Sequence, residues 1–81
     1  MEITVLLFAS IADKAGVRRV SLPFEAGDTV ATVRDRLVDR YPQIRPTLPT
    51  LLYALNEEYV KEWEPVSGGS TLALIPPVSG G

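Results

Sequence analysis

The sequence predicts an α+β domain in which a single amphipathic helix packs on a mixed β-sheet. Three observations carry that expectation. Apolar and β-branched runs lie near both ends of the chain, from Glu2 to Phe8 and from Thr71 to Ile75. Between them, one segment from Val30 to Tyr41 repeats its apolar residues at helical period. The 81 residues suffice for one thin core, since a chain of this size buries roughly 60–65% of the surface it exposes when unfolded.

The elements follow in order. Glu2 to Phe8 reads as a strand with Ile3, Val5 and Leu7 on one face and Thr4, Leu6 and Phe8 on the other. Apolar residues on both faces place it inside the sheet. Ser10-Ile11-Ala12-Asp13 fits a helix-start box, with Asp13 reaching back to the cap, and Gly16 suits a helix stop. A short helix from Ser10 to Ala15 is expected there. Arg18 to Phe24 alternates as a second strand, with Val20 and Leu22 inward and Arg19 and Ser21 outward. Gly27-Asp28-Thr29 forms a turn, and Asp28 or Thr29 caps the next helix. Val30, Val33, Leu37, Val38 and Tyr41 make that helix's apolar stripe, and Pro42 ends it.

Gln43 to Thr50 carries Pro46 and Pro49 and reads as a loop. Leu51 to Leu55 is a short apolar strand, Asn56-Glu57-Glu58 a turn, and Tyr59 to Lys61 a short edge strand. Ser67-Gly68-Gly69-Ser70 is a turn, because the strand from Thr71 to Ile75 follows at once. In that last strand Leu72 and Leu74 share one face, and Ala73 and Ile75 the other. Pro76-Pro77 ends sheet pairing, since proline donates no backbone hydrogen bond.

Strand, strand, helix, strand, short strand, strand is the pattern of the β-grasp, or ubiquitin-like, fold. Its first and last strands lie parallel at the sheet centre, and the tail leaves from the last one. The chain accordingly divides into a β-grasp domain over residues 1–75 and an extended, flexible Gly-Gly tail over residues 76–81. One amphipathic helix covers one sheet face. No helix remains for the other.

Composition narrows the function classes. The chain has no Cys and no His. That excludes a disulfide framework, a thiolate metal site, a Cys nucleophile and a His general base. A net charge of −2 argues against a nucleic-acid partner. No stretch approaches the roughly 20 apolar residues of a membrane span, and the start lacks the basic region of a secretory signal. Cytoplasmic residence is the default expectation. Gly68-Gly69 lacks the spaced glycines and Lys of a phosphate loop, so ATP chemistry would belong to a partner.

The most informative feature is the ending, Pro76-Pro77-Val78-Ser79-Gly80-Gly81. Gly80 and Gly81 have no side chains and can enter a channel too narrow for any other residue. The carboxyl group of Gly81 is then the tail's one reactive handle. Pro76 and Pro77 hold the backbone extended as it leaves the sheet, and six residues reach about 20 Å. Val78 offers an apolar grip and Ser79 is small and polar. A free carboxylate is a poor electrophile, so a partner would first convert it to an acyl-adenylate. Sulfide or a persulfide could then displace AMP and leave a thiocarboxylate; an amine or thiol would give an amide or thioester instead.

Val5-Leu6-Leu7-Phe8-Ala9, Leu55-Asn56-Glu57-Glu58-Tyr59-Val60 and Ile75-Pro76-Pro77-Val78-Ser79-Gly80-Gly81 resemble the small subunits of molybdopterin synthase, and the resemblance covers the whole chain. It implies a sulfur carrier in molybdenum cofactor biosynthesis that contributes no catalytic side chain. A ubiquitin-activating-like enzyme, using Mg-ATP and a sulfur donor system, would charge Gly81. The resulting thiocarboxylate would donate sulfur to cyclic pyranopterin monophosphate within the large synthase subunit, in a heterotetramer. Gly80 would provide clearance in the partner channels. The family's apolar docking patch matches Phe8, Tyr59 and Ile75. The competing expectation is that these three fill the far side of a small core. Members of this family often carry Arg in the short first helix, where this chain has Ile11-Ala12-Asp13. Other readings of the same tail are a sulfur carrier for thiamine or tRNA thiolation, a ubiquitin-like protein modifier, and a binding module with an inert end.

Glu57, Glu58, Glu62 and Glu64 cluster near Tyr59, either steering a basic partner or forming a solvated edge. Arg34, Arg36 and Arg40 read as a solvated helix face, and Trp63 as an edge-packing residue.

Overall fold

The structure, a computed structural model, describes residues 1–77. Five strands form one sheet: β1 (Glu2–Leu7), β2 (Arg19–Pro23), β3 (Leu52–Leu55), β4 (Glu58–Val60) and β5 (Thr71–Ile75). Their spatial order is β2-β1-β5-β3-β4. β1 and β5 run parallel in the interior, with Val5 beside Leu72 and Leu7 beside Leu74. All other neighbours are antiparallel. This is the expected mixed, ubiquitin-like sheet.

Both helices, α1 (Ala9–Ala15) and α2 (Val30–Arg40), contribute to a single core. Strand alternation supplies Ile3, Val5, Leu22, Leu72 and Leu74, each fully buried. The stripe on α2 meets them with Val30, Val33, Leu37 and Val38, and Tyr41 packs at its margin. Thr29 caps α2 by a reciprocal pair with Thr32, one of the two expected solutions. Gly16 ends α1 as expected: at φ +80 it adopts a left-handed conformation, and its N–H donates to the Ala12 carbonyl at 2.8 Å.

Three expectations need correction. The Ser10–Asp13 box does not form: α1 starts at Ala9, and its cap position is Phe8, whose side chain makes no capping bond. Ala9 takes φ +51 and turns the chain immediately after β1, so Ser10 already lies in the first helical turn. Residues Pro42–Thr50 form a run of 3-10 turns instead of a loop. Proline fixes φ near the value that a 3-10 turn uses. The hydroxyls of Thr47 and Thr50 donate to the carbonyls of Ile44 and Thr47, at 2.6 and 3.2 Å. This segment packs against α1 and α2 and adds Ile44 to the core. The third correction concerns the arginines and is taken up below.

β5 ends at Ile75, with Pro76 and Pro77 beyond it. Val78, Ser79, Gly80 and Gly81 lie outside the described residues. No helix among the described residues is long and apolar enough to cross a membrane.

Candidate functional site

The side of the sheet away from the helices is apolar at its centre. Strand register sets Leu6 beside Ala73, Ala73 beside Ala54, and Ala54 beside Tyr59, one row across four strands. The next row sets Ile75 beside Leu52. Because Leu7 pairs with Leu74 in parallel register, Phe8 follows beside Ile75. These side chains point outward because their neighbours Ile3, Val5, Leu7, Leu72 and Leu74 point into the core.

Phe8, Tyr59 and Ile75 therefore share one surface. Phe8 is 45% exposed and Tyr59 74% exposed, while Ile75 is half-buried. They do not fill a second core. With Leu6, Ala54 and Ala73 they line a shallow concavity of about 630 Å³. Leu52, 47% exposed, extends the same surface. Leu52 sits two positions before Ala54 in β3, so strand alternation puts it on the same face. Pro76, half-buried, and Pro77, exposed, follow Ile75 directly, so the described part of the tail starts at this apolar surface.

The acidic cluster divides in two. Glu62 and Glu64 turn their backbones to α2: their carbonyls accept from the N–H groups of Ala31 and Val30, at 2.8 and 2.9 Å. These donors belong to the first turn of α2, which has no internal partner for them. The Glu62 carboxylate also accepts from Arg34 at 2.9 Å. Glu57 and Glu58 are exposed and make no ion pair among the described residues. On the opposite edge of the sheet, Arg18 and Arg19 are also exposed and make none.

Arg34 and Arg36 are not a solvated face. Arg34 donates to the Tyr53 hydroxyl at 3.1 Å as well as to Glu62, tying α2 to β3 and to the segment after β4. Arg36 grips both carboxylate oxygens of Asp28 at 3.0 Å each, and also reaches Glu25 at 3.0 Å and the Pro23 carbonyl at 2.9 Å. Asp28 is buried. The Arg36 hydrogen bonds hold its carboxyl at about 2, against the opposing effect of burial and with help from the Glu25 N–H and the Thr32 hydroxyl. Spacing alone puts Arg36 opposite the stripe, but its long side chain reaches back across the helix. Trp63, read as edge packing, is 70% exposed.

Among the described residues, no group of three or more His, Cys, Asp or Glu is arranged to hold a metal ion. The described residues bring together an apolar surface and the strand end from which the chain continues into Pro76 and Pro77.

The ThiS family model matches residues 5–81. The chain belongs to the ThiS family. It is 38% identical over 81 residues to the molybdopterin synthase sulfur carrier subunit of Arabidopsis thaliana, across all of this chain and 84% of that one. It is 32% identical over 83 residues to small archaeal modifier protein 1 of Haloferax volcanii, across 93% of this chain and 95% of that one. The crystal structure of SAMP1 from Haloferax volcanii superposes with a TM-score of 0.92 at 30% identity, covering 100% of both chains.

Proposed function

We propose that this ThiS-family protein is the sulfur-carrying small subunit of a molybdopterin synthase. The observation that carries the reading is full-length similarity to curated sulfur carrier subunits, within a family match that runs through Gly81. The exposed apolar surface around Phe8, Tyr59 and Ile75, placed where the tail begins, supports it.

The chemistry uses the chain's end and a partner's active site. An activating enzyme binds Mg-ATP, and the Gly81 carboxylate attacks its α-phosphate and expels pyrophosphate. A hydrosulfide equivalent from a sulfur donor displaces AMP at the carbonyl, giving the thiocarboxylate and releasing a proton. Inside the large subunit the thiocarboxylate sulfur attacks a side-chain carbon of cyclic pyranopterin monophosphate and displaces an oxygen substituent. Water then cleaves the acyl–sulfur bond, which restores the Gly81 carboxylate and leaves the sulfur on the pterin. A second charged chain supplies the second sulfur. This chain contributes the acyl group, the reach of residues 76–81 and the docking surface. Gly80 and Gly81 give clearance, Val78 and Ser79 contact the channel wall, and Pro76 and Pro77 aim the segment. The cytoplasm is where this chemistry is expected.

Intact-mass measurement tests the charging step. Incubation with the activating enzyme, ATP and a sulfur source should raise the mass by the difference between sulfur and oxygen, and deletion of Gly81 should abolish that rise. An unchanged rate of dithiolene formation after Gly81 deletion would refute the reading. Similarity to small archaeal modifier protein 1 favours one second reading, a ubiquitin-like modifier. That reading predicts covalent conjugates on lysines of other proteins, seen as higher bands on a denaturing gel.

A further inference from the structure

We propose that the open sheet face is self-complementary, and that a second copy of this chain covers it in a weak two-fold dimer when no other partner is present. The inference rests on strand order and charge and stands whether or not the chain carries sulfur.

Arg19, on β2, lies at one edge of the sheet, and Tyr59 and Glu57 lie at or beside β4 on the other. Arg19 pairs with Leu6, which begins the row ending at Tyr59. Arg18 and Arg19 on one edge, and Glu57 and Glu58 on the other, carry opposite charges and make no ion pair among the described residues. Apolar side chains fill the space between them. Lys61 interrupts the acidic edge and Asp13 the basic one.

A face-to-face two-fold has two simple orientations on such a sheet. An axis across the strands lays each edge on its own copy, so Arg19 meets Arg19. An axis along β5 exchanges the edges. Arg19 then lies over Tyr59 and Glu57 of the second copy, Phe8 over Leu52, and Ile75 over itself. This orientation joins a cation to an aromatic ring and a carboxylate, and fills apolar space with apolar groups. It also aligns the strands of the two sheets, a standard arrangement for sheets packed face to face. Four strand spacings make the face about 19 Å wide, which places the contact at the small, transient end of protein interfaces. The dimer would cover the surface that the proposed docking partners need, so they would compete with it.

Sedimentation velocity and amide chemical shifts of the full chain, followed up to about 1 mM, test the proposal. The expected result is a dimer population that rises with concentration, with shift changes centred on Leu6, Phe8, Leu52, Tyr59 and Ile75. Arg19→Glu and Glu57→Arg should each weaken association by at least about tenfold. An equimolar mixture of the two variants restores both ion pairs, and should associate at least as well as wild type. Both residues are exposed, and circular dichroism confirms that each variant remains folded. A wild-type chain monomeric throughout overturns the proposal. So does a dimer indifferent to both reversals, or a mixture no stronger than its components.

Discussion

The two faces of this sheet are built from the same strands and are both apolar at the centre, yet only one is covered. On the helix side, Ile3, Val5, Leu72 and Leu74 are fully buried. On the open side, Phe8, Leu52 and Tyr59 keep between 45% and 74% of their surface exposed. One sequence alternation thus does two jobs: Ile3, Val5 and Leu7 stabilise the fold, and Leu6 and Phe8, on alternate positions, leave apolar surface to be satisfied by another molecule. Mutations on the two faces should therefore separate stability from association.

The largest stability effect is expected on the covered face. Leu74→Ala should cost about 3 kcal/mol in urea unfolding, whereas Phe8→Ala should cost under about 1 kcal/mol. For partner binding the order reverses. Phe8→Ala should weaken binding of the proposed large-subunit partner at least tenfold, measured by calorimetry with folded protein. Equal stability losses at the two positions would mean that the open face is part of the core.

Asp28 gives the next largest effect. Its carboxyl is held near 2, below its ordinary 3.8, so the folded state favours the charged form. Its stabilisation, on the order of 2 kcal/mol, is fully present above about pH 4 and is lost as pH falls through about 2. Asp28→Asn should remove that slope from the acid-unfolding profile and lower stability at neutral pH by a similar amount. Matching acid slopes in the two proteins would refute the role given to the Arg36–Asp28 pair.

Much of this architecture is legible in the sequence. Period-two runs marked β1, β2 and β5, period 3.6 marked α2, and Pro42 marked its end. Phe8 and Ile75 could be placed on one face by counting alternate positions. The features without a local signature depend on distance in the chain or on the reach of a side chain. Pro46 and Pro49 signalled a break in helix, but the same fixed φ serves 3-10 turns. Arg36 looked solvated because spacing reports where a Cβ points, while the guanidinium ends several bonds away, on Asp28. Glu62 and Glu64 looked like surface charge, yet their backbone carbonyls complete the start of α2. No local pattern announces that pairing.

The smallest effect should come at the hinge between the two faces. Ala9 turns the chain from β1 into α1 at φ +51, a conformation that costs a residue with a Cβ about 1 kcal/mol. Ala9→Gly removes that cost but frees the unfolded chain. Thermal melting should shift upward slightly or not at all, and a clear loss of stability would show that the turn is unstrained.

The position of β5 has a mechanical consequence. The strand that leads into Pro76 and Pro77 is hydrogen-bonded along both sides, to β1 and to β3. Tension applied at the end of the chain therefore loads two ladders in shear, and many bonds must yield together. Another protein that grips this terminus can haul on it hard without peeling the domain apart.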